Sequence, residues 1–523
     1  MQKYSVKFGA VARIGESSKS GSSVSRRDIR HAPEVLDKER IARYARIVRD
    51  ADQILRDNLV TFSVNGERHR FTIPSQSYYG NGWKWDAGEN ASATVHIDPE
   101  RACEELRAFE SGQWKNGFVP HLVYRPGETK YYPGPEIWDI PQKQAGDLRT
   151  SGINQPPNLA IAVEYIYKYD PDEKRRESFR DEMLPYLMRE HDFLKVSHDS
   201  EDSGLQTVFH SWASGRDNSQ LWDQSLEEID LSSIPPDVLA EVDVNRFDHL
   251  VGKSTHRPTN EQYYKYIYLI KFFAELGWDY EKIAKKSPFA VKDIVTSSIW
   301  AKGNDSVAYL LREAGRDKEA EIYQGYADQT REALLGTWDP AIKQFCDINV
   351  AQGRYERIVV PTSGIFMPIF AGAYTNDILN DLLDRHDNPY DFGAPYPIPS
   401  TSLLLQGKEF SPILYHRGPV WPYINESVST GYLIAAQSEK VRLSDETRAR
   451  VRRKGISLAK STIDMVDQCG FQEFFNPYGS KAEQGLGFGK FSWTAGSVLK
   501  CLNLLVEQGE LPKEFFSTLY PHN

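Results

Sequence analysis

Two acidic residues far apart in the chain, Asp217 and Glu473, are the first candidates for chemistry. Asp217 follows Arg216 in a run of small residues, which leaves room for a ligand to approach its carboxyl group. Glu473 stands within 471–477 among three phenylalanines, and apolar neighbours raise the pKa of a carboxyl group. Two such carboxyls suit glycoside hydrolysis, where one protonates the departing oxygen and the other deprotonates water or attacks carbon. Since the chain holds 73 acidic residues, spacing alone does not single out this pair.

A Gly-rich aromatic segment, 78–86, brings two tryptophans and a carboxylate together. Trp83 and Trp85 stand two positions apart, and Asp86 follows them directly. Two indoles so placed can form a stacking wall for a sugar, with Asp86 accepting hydrogen bonds from its hydroxyls. Asp86 could equally cap a helix over a partly buried tryptophan pair. We expect this segment and the other motifs to lie in loops between helices.

Two further segments carry polar side chains among aromatic or stiff residues. Segment 111–121 contains Gln113 and His121, and the histidine is better read as a structural group than as a ligand. Segment 151–157 ends in two prolines, which stiffen the approach to a helix and would hold Gln155 in a fixed direction.

Composition indicates an ordinary globular protein whose aromatic loops suit a hydroxyl-bearing ligand. The 523 residues are 40% hydrophobic and 26% charged, which is enough to bury a large core. The net charge of −10, with no basic block longer than Lys174–Arg176, makes nucleic acid and anionic membranes poor partners. Aromatic residues make up 12% of the chain, which favours a small carbohydrate as substrate.

The sequence predicts no cofactor and no metal. It contains no phosphate loop and no dinucleotide fingerprint. Its four cysteines have no metal-ligand spacing and read as buried thiols. The first residues form no secretory apolar segment, and the uncharged stretch 358–376 is broken by prolines and glycines, so a cytoplasmic protein is expected. The sequence makes no prediction of oligomeric state.

Apolar residues at helical spacing dominate the chain. Residues 1–32 read as a flexible tail, and 33–523 as a single domain whose first helix runs to about Asn58. A β-hairpin is predicted around Asn65-Gly66, and a strand within 344–360. Prolines predict helices that open at Pro157 and at Asp170-Pro171. Spacing predicts the other helices over 98–110, 260–276, 305–314, 317–335, 365–385, 426–437, 442–468 and 494–508. About twelve helices suggest helical hairpins arranged in a ring.

Eight motifs occur in an order that resembles glycoside hydrolase family 63, and most closely its mannosylglycerate and glucosylglycerate hydrolases, with trehalases as more distant relatives. The resemblance covers about residues 75–508. The motifs are Trp-x-Trp-Asp (83–86), Gly-Gln-Trp-x-Asn-Gly-x-x-Pro-His (112–121), Ser-Gly-x-x-Gln-Pro-Pro (151–157), Ser-Gly-Arg-Asp-Asn-Ser (214–219), Pro-Tyr-Pro-x-Pro-Ser-Thr-Ser (395–402), Arg-Gly-Pro-Val-Trp-Pro (417–422), Glu-x-x-x-Pro (473–477) and Phe-Ser-Trp-Thr-Ala (491–495).

This resemblance implies an all-α fold, an (α/α)6 barrel of six helical hairpins with minor β-hairpins, and an inverting exo-α-glycosidase of a small α-glucoside or α-mannoside. It implies Asp217 as the general acid and Glu473 as the general base that activates water. A glycerate carboxylate would need a cationic partner such as Arg216, Lys84 or Lys115. The residues implied for the sugar pocket are Trp83, Trp85, Asp86, Gln113, Gln155, Arg417, Trp421 and Trp493.

The chain departs from the family pattern directly before two of the motifs, 214–219 and 417–422. Ala213 stands where a glutamate is usual before the acid, and His416 stands where a tryptophan is common. Glu483 competes with Glu473 as the base, although Glu473 holds the matching position before Asn476-Pro477. These departures leave open a catalytically silent sugar-binding protein on the same barrel. A lyase or phosphorylase is a third reading with no legible uronate or phosphate site.

Overall fold

The computed structural model describes residues 32–246, 248, 254–407, 409–479 and 485–521. The predicted tail, residues 1–32, lies outside this description except for Ala32. The described residues divide into two compact units, with the boundary between Arg46 and Ile47. The second unit contains every residue of the candidate site.

The described residues are mostly helical. The helices are α1 (Ala32–Asp57), α2 (Lys84–Thr94), α3 (Pro99–Glu110), α4 (Leu159–Tyr169), α5 (Glu173–Ser197), α6 (Asp223–Glu227), α7 (Pro236–Asn245), α8 (Asn260–Glu275), α9 (Tyr280–Lys286), α10 (Ile294–Glu313), α11 (Asp317–Gly336), α12 (Met367–Phe370), α13 (Asn376–Asp387), α14 (Pro422–Gln437), α15 (Asp445–Cys469), α16 (Ser492–Glu507) and α17 (Phe515–Leu519).

Six helices of the second unit contact one another in a closed ring. Around the ring, α2 contacts α4, α4 contacts α10, and α10 contacts α12. From there α12 contacts α14, α14 contacts α16, and α16 returns to α2. Helices α3, α5, α11 and α15 pack against α2, α4, α10 and α14, and each carries exposed residues. This inner ring with a second layer confirms the predicted all-α, (α/α)6 fold class.

Helix α2 was not predicted, because it has no apolar stripe. All 11 of its residues are buried, among them the charged Lys84, which pairs with the buried Glu190 of α5. A helix buried on every side shows no amphipathic period. Its Gly88 lies so close to the next ring helix that an added Cβ would be 2.4 Å from the amide of Asn158.

Four of the eight motifs lie at the N-terminal ends of ring helices. Trp83 directly precedes α2, and Gln155 lies four residues before α4. Trp421 directly precedes α14, and Trp493 is the second residue of α16. The expectation that the first motif is a loop is wrong for Trp85 and Asp86, which form the first turn of α2.

Strands are short and arranged in small antiparallel sheets. The predicted hairpin is confirmed, with Asn65 and Gly66 both at positive φ between β1 and β2. Three strands fall in the predicted range 344–360. The strands are β1 (Leu59–Val64), β2 (Glu67–Thr72), β3 (Gly82–Trp83), β4 (Leu122–Val123), β5 (Thr207–Val208), β6 (Val291–Lys292), β7 (Trp338–Asp339), β8 (Gln344–Phe345), β9 (Asp347–Asn349), β10 (Glu356–Ile358), β11 (Gln472–Phe475) and β12 (Gly485–Gly489).

Two other expectations need correction. The helix predicted over 365–385 is two helices, α12 and α13, because Gly372 adopts a positive φ of 82° between them. Of the four thiols, three are buried, whereas Cys469 at the end of α15 is only half-buried. Across the part of the chain that is described, no helix is both long and apolar enough to span a membrane.

Candidate active site

Asp217 and Glu473 line one cavity of the second unit, which we call the carboxylate cavity. It lies at the N-terminal ends of α2 and α16. Its described lining residues are Pro74, Tyr78, Tyr79, Trp83, Asp86, Tyr131, Gln155, Trp212, Gly215, Asp217, Asp248, Arg257, Pro258, Tyr263, Tyr415, Glu473, Phe491 and Trp493.

Asp217 projects from a loop whose backbone is fixed by its surroundings. The loop leaves a 3-10 helix, Ser211–Ser214, through Gly215, which has a φ of 66°. A Cβ on Gly215 would lie 1.9 Å from a ring carbon of Trp85, so only glycine fits. The hydroxyl of Tyr266 donates to the carbonyl of Asp217 at 3.2 Å. These contacts hold the Asp217 carboxyl at the cavity.

The electrostatic surroundings of Asp217 favour its protonated form. Burial raises the pKa of Asp217 to about 7, and the charge of Glu473 adds to the rise. Its own backbone N–H and the charge of Arg257 act in the opposite direction. A carboxyl with a pKa near neutrality can hold a proton and release it at the operating pH of an enzyme.

Glu473 lies on β11 and is saturated with hydrogen-bond donors. Its Oε2 accepts from Nη2 of Arg257 at 2.7 Å and from the backbone N–H of Phe488 at 3.1 Å. Its Oε1 accepts from the hydroxyl of Tyr79 at 3.1 Å and from Nη1 of Arg257 at 3.5 Å. The expectation of an apolar pocket around Glu473 is therefore wrong. Along a strand neighbouring side chains alternate in direction, and Phe474 packs instead on Trp421 with ring centroids 4.9 Å apart.

The strand beside Glu473 is shaped to admit its carboxylate. Gly487 of β12 adopts a φ of 70°, and a Cβ there would lie 2.3 Å from Oε2 of Glu473. The pairing of β11 with β12 shifts register between Gln472 and Phe474, on either side of Glu473. A bulge of this kind re-aims a side chain next to a site. The sheet thus turns Glu473 toward the cavity.

Asp86 and Gln155 supply further polar groups to the carboxylate cavity. Burial raises the pKa of Asp86 well above its ordinary value, and the charges of Glu473 and two other glutamates add to the rise. A neutral Asp86 can both donate to and accept from sugar hydroxyls. The Oε1 of Gln155 accepts from the backbone N–H of Trp85 at 3.1 Å, which orients the amide.

Aromatic rings form much of the remaining wall. Trp83 meets Tyr131 edge to face at 5.0 Å and Tyr79 at 5.2 Å. On another side Trp493 packs on Tyr423 at 4.4 Å. Flat ring faces beside carboxylates and amides are the usual composition of a sugar pocket.

Not all predicted pocket residues reach the cavity. Trp85 packs behind it, on Tyr423 at 4.7 Å and against Gly215. Trp421 also lies behind the lining, 5.5 Å from Trp493. The predicted residues that do line the cavity are Trp83, Asp86, Gln155, Asp217, Glu473 and Trp493.

Gln113 lies outside the lining and serves its own loop. Its amide nitrogen donates to the carbonyls of Gly117 and Tyr186, both at 3.0 Å. Its oxygen accepts from Arg189 at 2.6 Å. The side chain of Gln113 is therefore engaged in packing α5 against segment 111–121.

Arg216 and Arg417 also stand outside the lining, where they brace the loop that carries Asp217. Arg216 is buried and pairs with both carboxylate oxygens of Asp293 at 2.9 Å. Arg417 pairs with Asp223, with Nη1 2.8 Å from Oδ2. Neither guanidinium is directed to a ligand in the carboxylate cavity.

The two departures from the family pattern both lie close behind the site. Ala213 is buried in the 3-10 helix before Asp217. The ring of His416 stacks flat on Trp421, with centroids 3.8 Å apart and an interplanar angle of 1°. Burial lowers the pKa of His416 well below its ordinary value, so the stacked ring is neutral. The competing base Glu483 lies outside the described residues.

Several lining residues were not found from the sequence. Arg257 and Asp248 fall in a stretch without apolar periodicity or any quoted motif, so no local signal marks them. Tyr131 belongs to a Tyr-Tyr-Pro run that, with the aromatic count, could have drawn attention to it. Within the described ranges, no group of three or more His, Cys, Asp or Glu side chains is arranged to hold a metal ion.

The chain is similar to known glycoside hydrolases. Residues 78–494 match the family described as mannosylglycerate hydrolase MGH1-like glycoside hydrolase domain. The mannosylglycerate hydrolase of Thermus thermophilus is 31% identical over 439 residues, which cover 83% of this chain and 96% of that protein. The glucosylglycerate hydrolase of Mycolicibacterium hassiacum is 30% identical over 450 residues, 82% of this chain and 94% of that protein.

A solved structure shares the fold. The crystal structure of a GH63 mannosylglycerate hydrolase from Thermus thermophilus, in complex with Tris and D-glycerate, has a TM-score of 0.74 at 28% identity. The alignment covers 87% of this chain and 99% of that one. The resemblance drawn from the eight motifs is confirmed.

Proposed function

This chain belongs to the MGH1-like glycoside hydrolase family and is a glycoside hydrolase, and we propose that it hydrolyses an α-glycoside of glycerate with inversion at the anomeric carbon. The observation that carries the proposal is the different setting of two of the carboxyls that line one cavity, Asp217 and Glu473. Asp217 has a pKa raised to about 7, whereas Glu473 is paired with a guanidinium. Environments that differ in this way assign an acid and a base.

In the proposed reaction Asp217 is the general acid. Its carboxyl proton passes to the glycosidic oxygen as the bond between that oxygen and the anomeric carbon breaks, and glycerate leaves with its hydroxyl restored. Glu473 is the general base and takes a proton from a water molecule, whose oxygen forms the new bond on the opposite face of the sugar. The product sugar has the inverted configuration.

The sugar would lie between the aromatic wall and the polar groups of the cavity. Asp86 and Gln155 offer hydrogen bonds to its hydroxyls, and Trp83 and Trp493 offer ring faces. Both mannose and glucose present such hydroxyls, so these contacts support a hexose without choosing between the two.

Arg257 supports glycerate as the leaving group. Among the described residues that line the carboxylate cavity, it is the one Lys or Arg side chain. Planar guanidinium groups bind carboxylates through two parallel hydrogen bonds. The relatives named above act on mannosylglycerate or glucosylglycerate by name, and the solved structure holds D-glycerate. An anionic leaving group fits this setting.

The test compares four substrates with the purified protein: α-mannosylglycerate, α-glucosylglycerate and the two corresponding glycosides of glycerol. We expect free glycerate to appear from at least one glycosylglycerate. The variant Asp217→Asn should lower kcat/KM by about 10²–10⁴-fold while remaining folded. A wild type that releases glycerate from neither substrate, or a variant with undiminished activity, would contradict the proposal. Binding without cleavage would instead favour the silent sugar-binding protein.

A further inference from the structure

We propose that the ion pair between Arg257 and Glu473 is an autoinhibitory contact, and that the carboxylate of the substrate opens it by drawing Arg257 away from the base. The inference rests on the proposed function and concerns how the same site selects its substrate. It makes the anionic leaving group a condition for the chemical step, in addition to a means of binding.

Hydrogen-bond donors occupy every acceptor position on the Glu473 carboxylate. A carboxylate has about four lone-pair positions for hydrogen bonds. Arg257 takes two of them, Tyr79 a third and the N–H of Phe488 the fourth. A general base must accept a hydrogen bond from the water it deprotonates. With all four positions taken, Glu473 has none left for that water.

Of the three residues that donate to Glu473, Arg257 is the one whose side chain can leave. The N–H of Phe488 belongs to β12, which is paired with the strand that carries Glu473. The hydroxyl of Tyr79 also accepts from Nη1 of Arg257 at 2.9 Å and belongs to the aromatic wall. Arg257 alone is a long, flexible side chain, and its departure would free a position on each oxygen. We therefore assign the release to Arg257.

Arg257 and Glu473 form a buried ion pair that is costly to separate. The side chains of Arg257 and Glu473 are only 4% and 1% exposed. Separating two buried charges is strongly unfavourable unless each finds another partner. A substrate carboxylate provides that partner for Arg257, whereas a neutral leaving group does not.

The residues around the guanidinium offer it aromatic faces but no second free anion. Arg257 lies over the rings of Phe488 at 4.7 Å and Tyr415 at 4.9 Å, so its planar group is in contact with aromatic faces. Asp248 also lines the cavity, yet its two oxygens accept from Arg246 at 2.7 and 3.0 Å. The incoming carboxylate is thus the available partner among these groups.

The experiment supplies the glycerate carboxylate and the bond that is hydrolysed on two separate molecules. α-Mannosyl fluoride and α-glucosyl fluoride carry the sugar without glycerate, and their hydrolysis by water yields the free sugar, fluoride and a proton. Free D-glycerate is added to these reactions, with glycerol as a neutral control of similar size. General-base assistance is typically worth ~10²–10⁴-fold, so we expect glycerate to raise kcat for one fluoride by about tenfold or more. Glycerol should have no such effect.

The other outcomes distinguish a failure of the inference from a failure of the proposed function. The inference is overturned if glycerate leaves fluoride hydrolysis unchanged, inhibits it, or fails to produce any. The proposed function stands in each of these cases as long as the protein turns over a glycosylglycerate. Absence of glycosylglycerate turnover is a failure of the proposed function itself. Glycosides of glycerol that match the glycosylglycerate in kcat and differ only in KM would also overturn the inference.

A variant of Arg257 should change the hydrolysis of the fluoride and the turnover of the glycosylglycerate in opposite directions. Arg257→Gln should raise hydrolysis of the fluoride in the absence of glycerate and abolish the stimulation, while it lowers turnover of the glycosylglycerate. A merely structural role would lower both activities together. Arg257→Lys keeps the charge and should keep part of the stimulation. Because the glycerate experiment uses the wild type, the inference stays testable even if Arg257→Gln does not fold.

Discussion

The α-carbon of Gly215 lies against the indole of Trp85, so that a Cβ at this position would be 1.9 Å from a ring carbon. Two motifs 130 residues apart in the chain meet at this contact, and it fixes the loop that carries Asp217 relative to helix α2. The positioning of the proposed acid thus depends on a glycine and on a tryptophan that itself lies behind the cavity.

The variant Gly215→Ala tests this relationship. The new methyl group meets an immovable ring, and the residue has a positive φ of 66°, so both overpacking and backbone strain act against folding. We expect a loss of roughly 2–4 kcal/mol in the free energy of unfolding, measured by denaturant titration. The matched control Gly325→Ala lies in α11 with open space around it and should be neutral or stabilising by up to ~1 kcal/mol.

The pH dependence of activity follows from the raised pKa of Asp217. The group is active as an acid only while protonated, and burial together with the charge of Glu473 raises its pKa to about 7. We therefore expect kcat/KM to fall as the pH rises above about 7, because the proton is lost through that range. The residual activity of Asp217→Asn should lack this alkaline limb. An identical limb in the variant would assign it to another group.

Two glycines on the same strand provide a test of how Glu473 is seated. In Gly487→Ala the new Cβ would lie 2.3 Å from Oε2 of Glu473, so the carboxylate must shift. We expect kcat/KM to fall by about 10-fold or more. In Gly489→Ala the nearest atom is the flexible end of Gln472 at 3.3 Å, and activity should stay within a few-fold of the wild type. Equal effects of the two variants on kcat/KM would contradict the seating of Glu473.

The buried pair of Lys84 with Glu190 should be important for stability. The two side chains are 0% and 2% exposed, and removing one partner leaves an uncompensated charge in the interior. We expect Lys84→Met to cost about 3–5 kcal/mol in the free energy of unfolding. The control Lys285→Met breaks a pair whose side chains are 69% and 80% exposed, and should change stability by less than about 0.5 kcal/mol.

Apolar residues at helical spacing identify most of the helices that the sequence predicts. Helices with one exposed face, such as α3 and α15, show the 3.6-residue period and were found close to their true bounds. The ring helix α2 is buried on all sides, so its sequence carries no such period and its residues were read as a loop. The hairpin turn at Asn65-Gly66 was found because that dipeptide suits two positive φ angles.

Within the site, motif order was more informative than local chemistry. Asp217, Glu473 and Asp86 each belong to a motif of the resemblance, and the structure places all three in the lining of one cavity. The phenylalanines near Glu473 indicate an apolar setting, but Phe474 packs on Trp421 and the Glu473 carboxylate pairs with Arg257. Arg257 lies 216 residues from Glu473 in the chain, and no pattern in the sequence reports a contact over such a separation.

The measurement that tests the central claim most directly is a proton NMR time course of glycosylglycerate hydrolysis, recorded before the released sugar mutarotates. With Asp217 as acid and Glu473 as base on opposite faces of the sugar, the wild type should release the β-anomer first from an α-glycoside, and Asp217→Asn should release almost none. Initial release of the α-anomer, or equal rates from wild type and variant, would contradict the account.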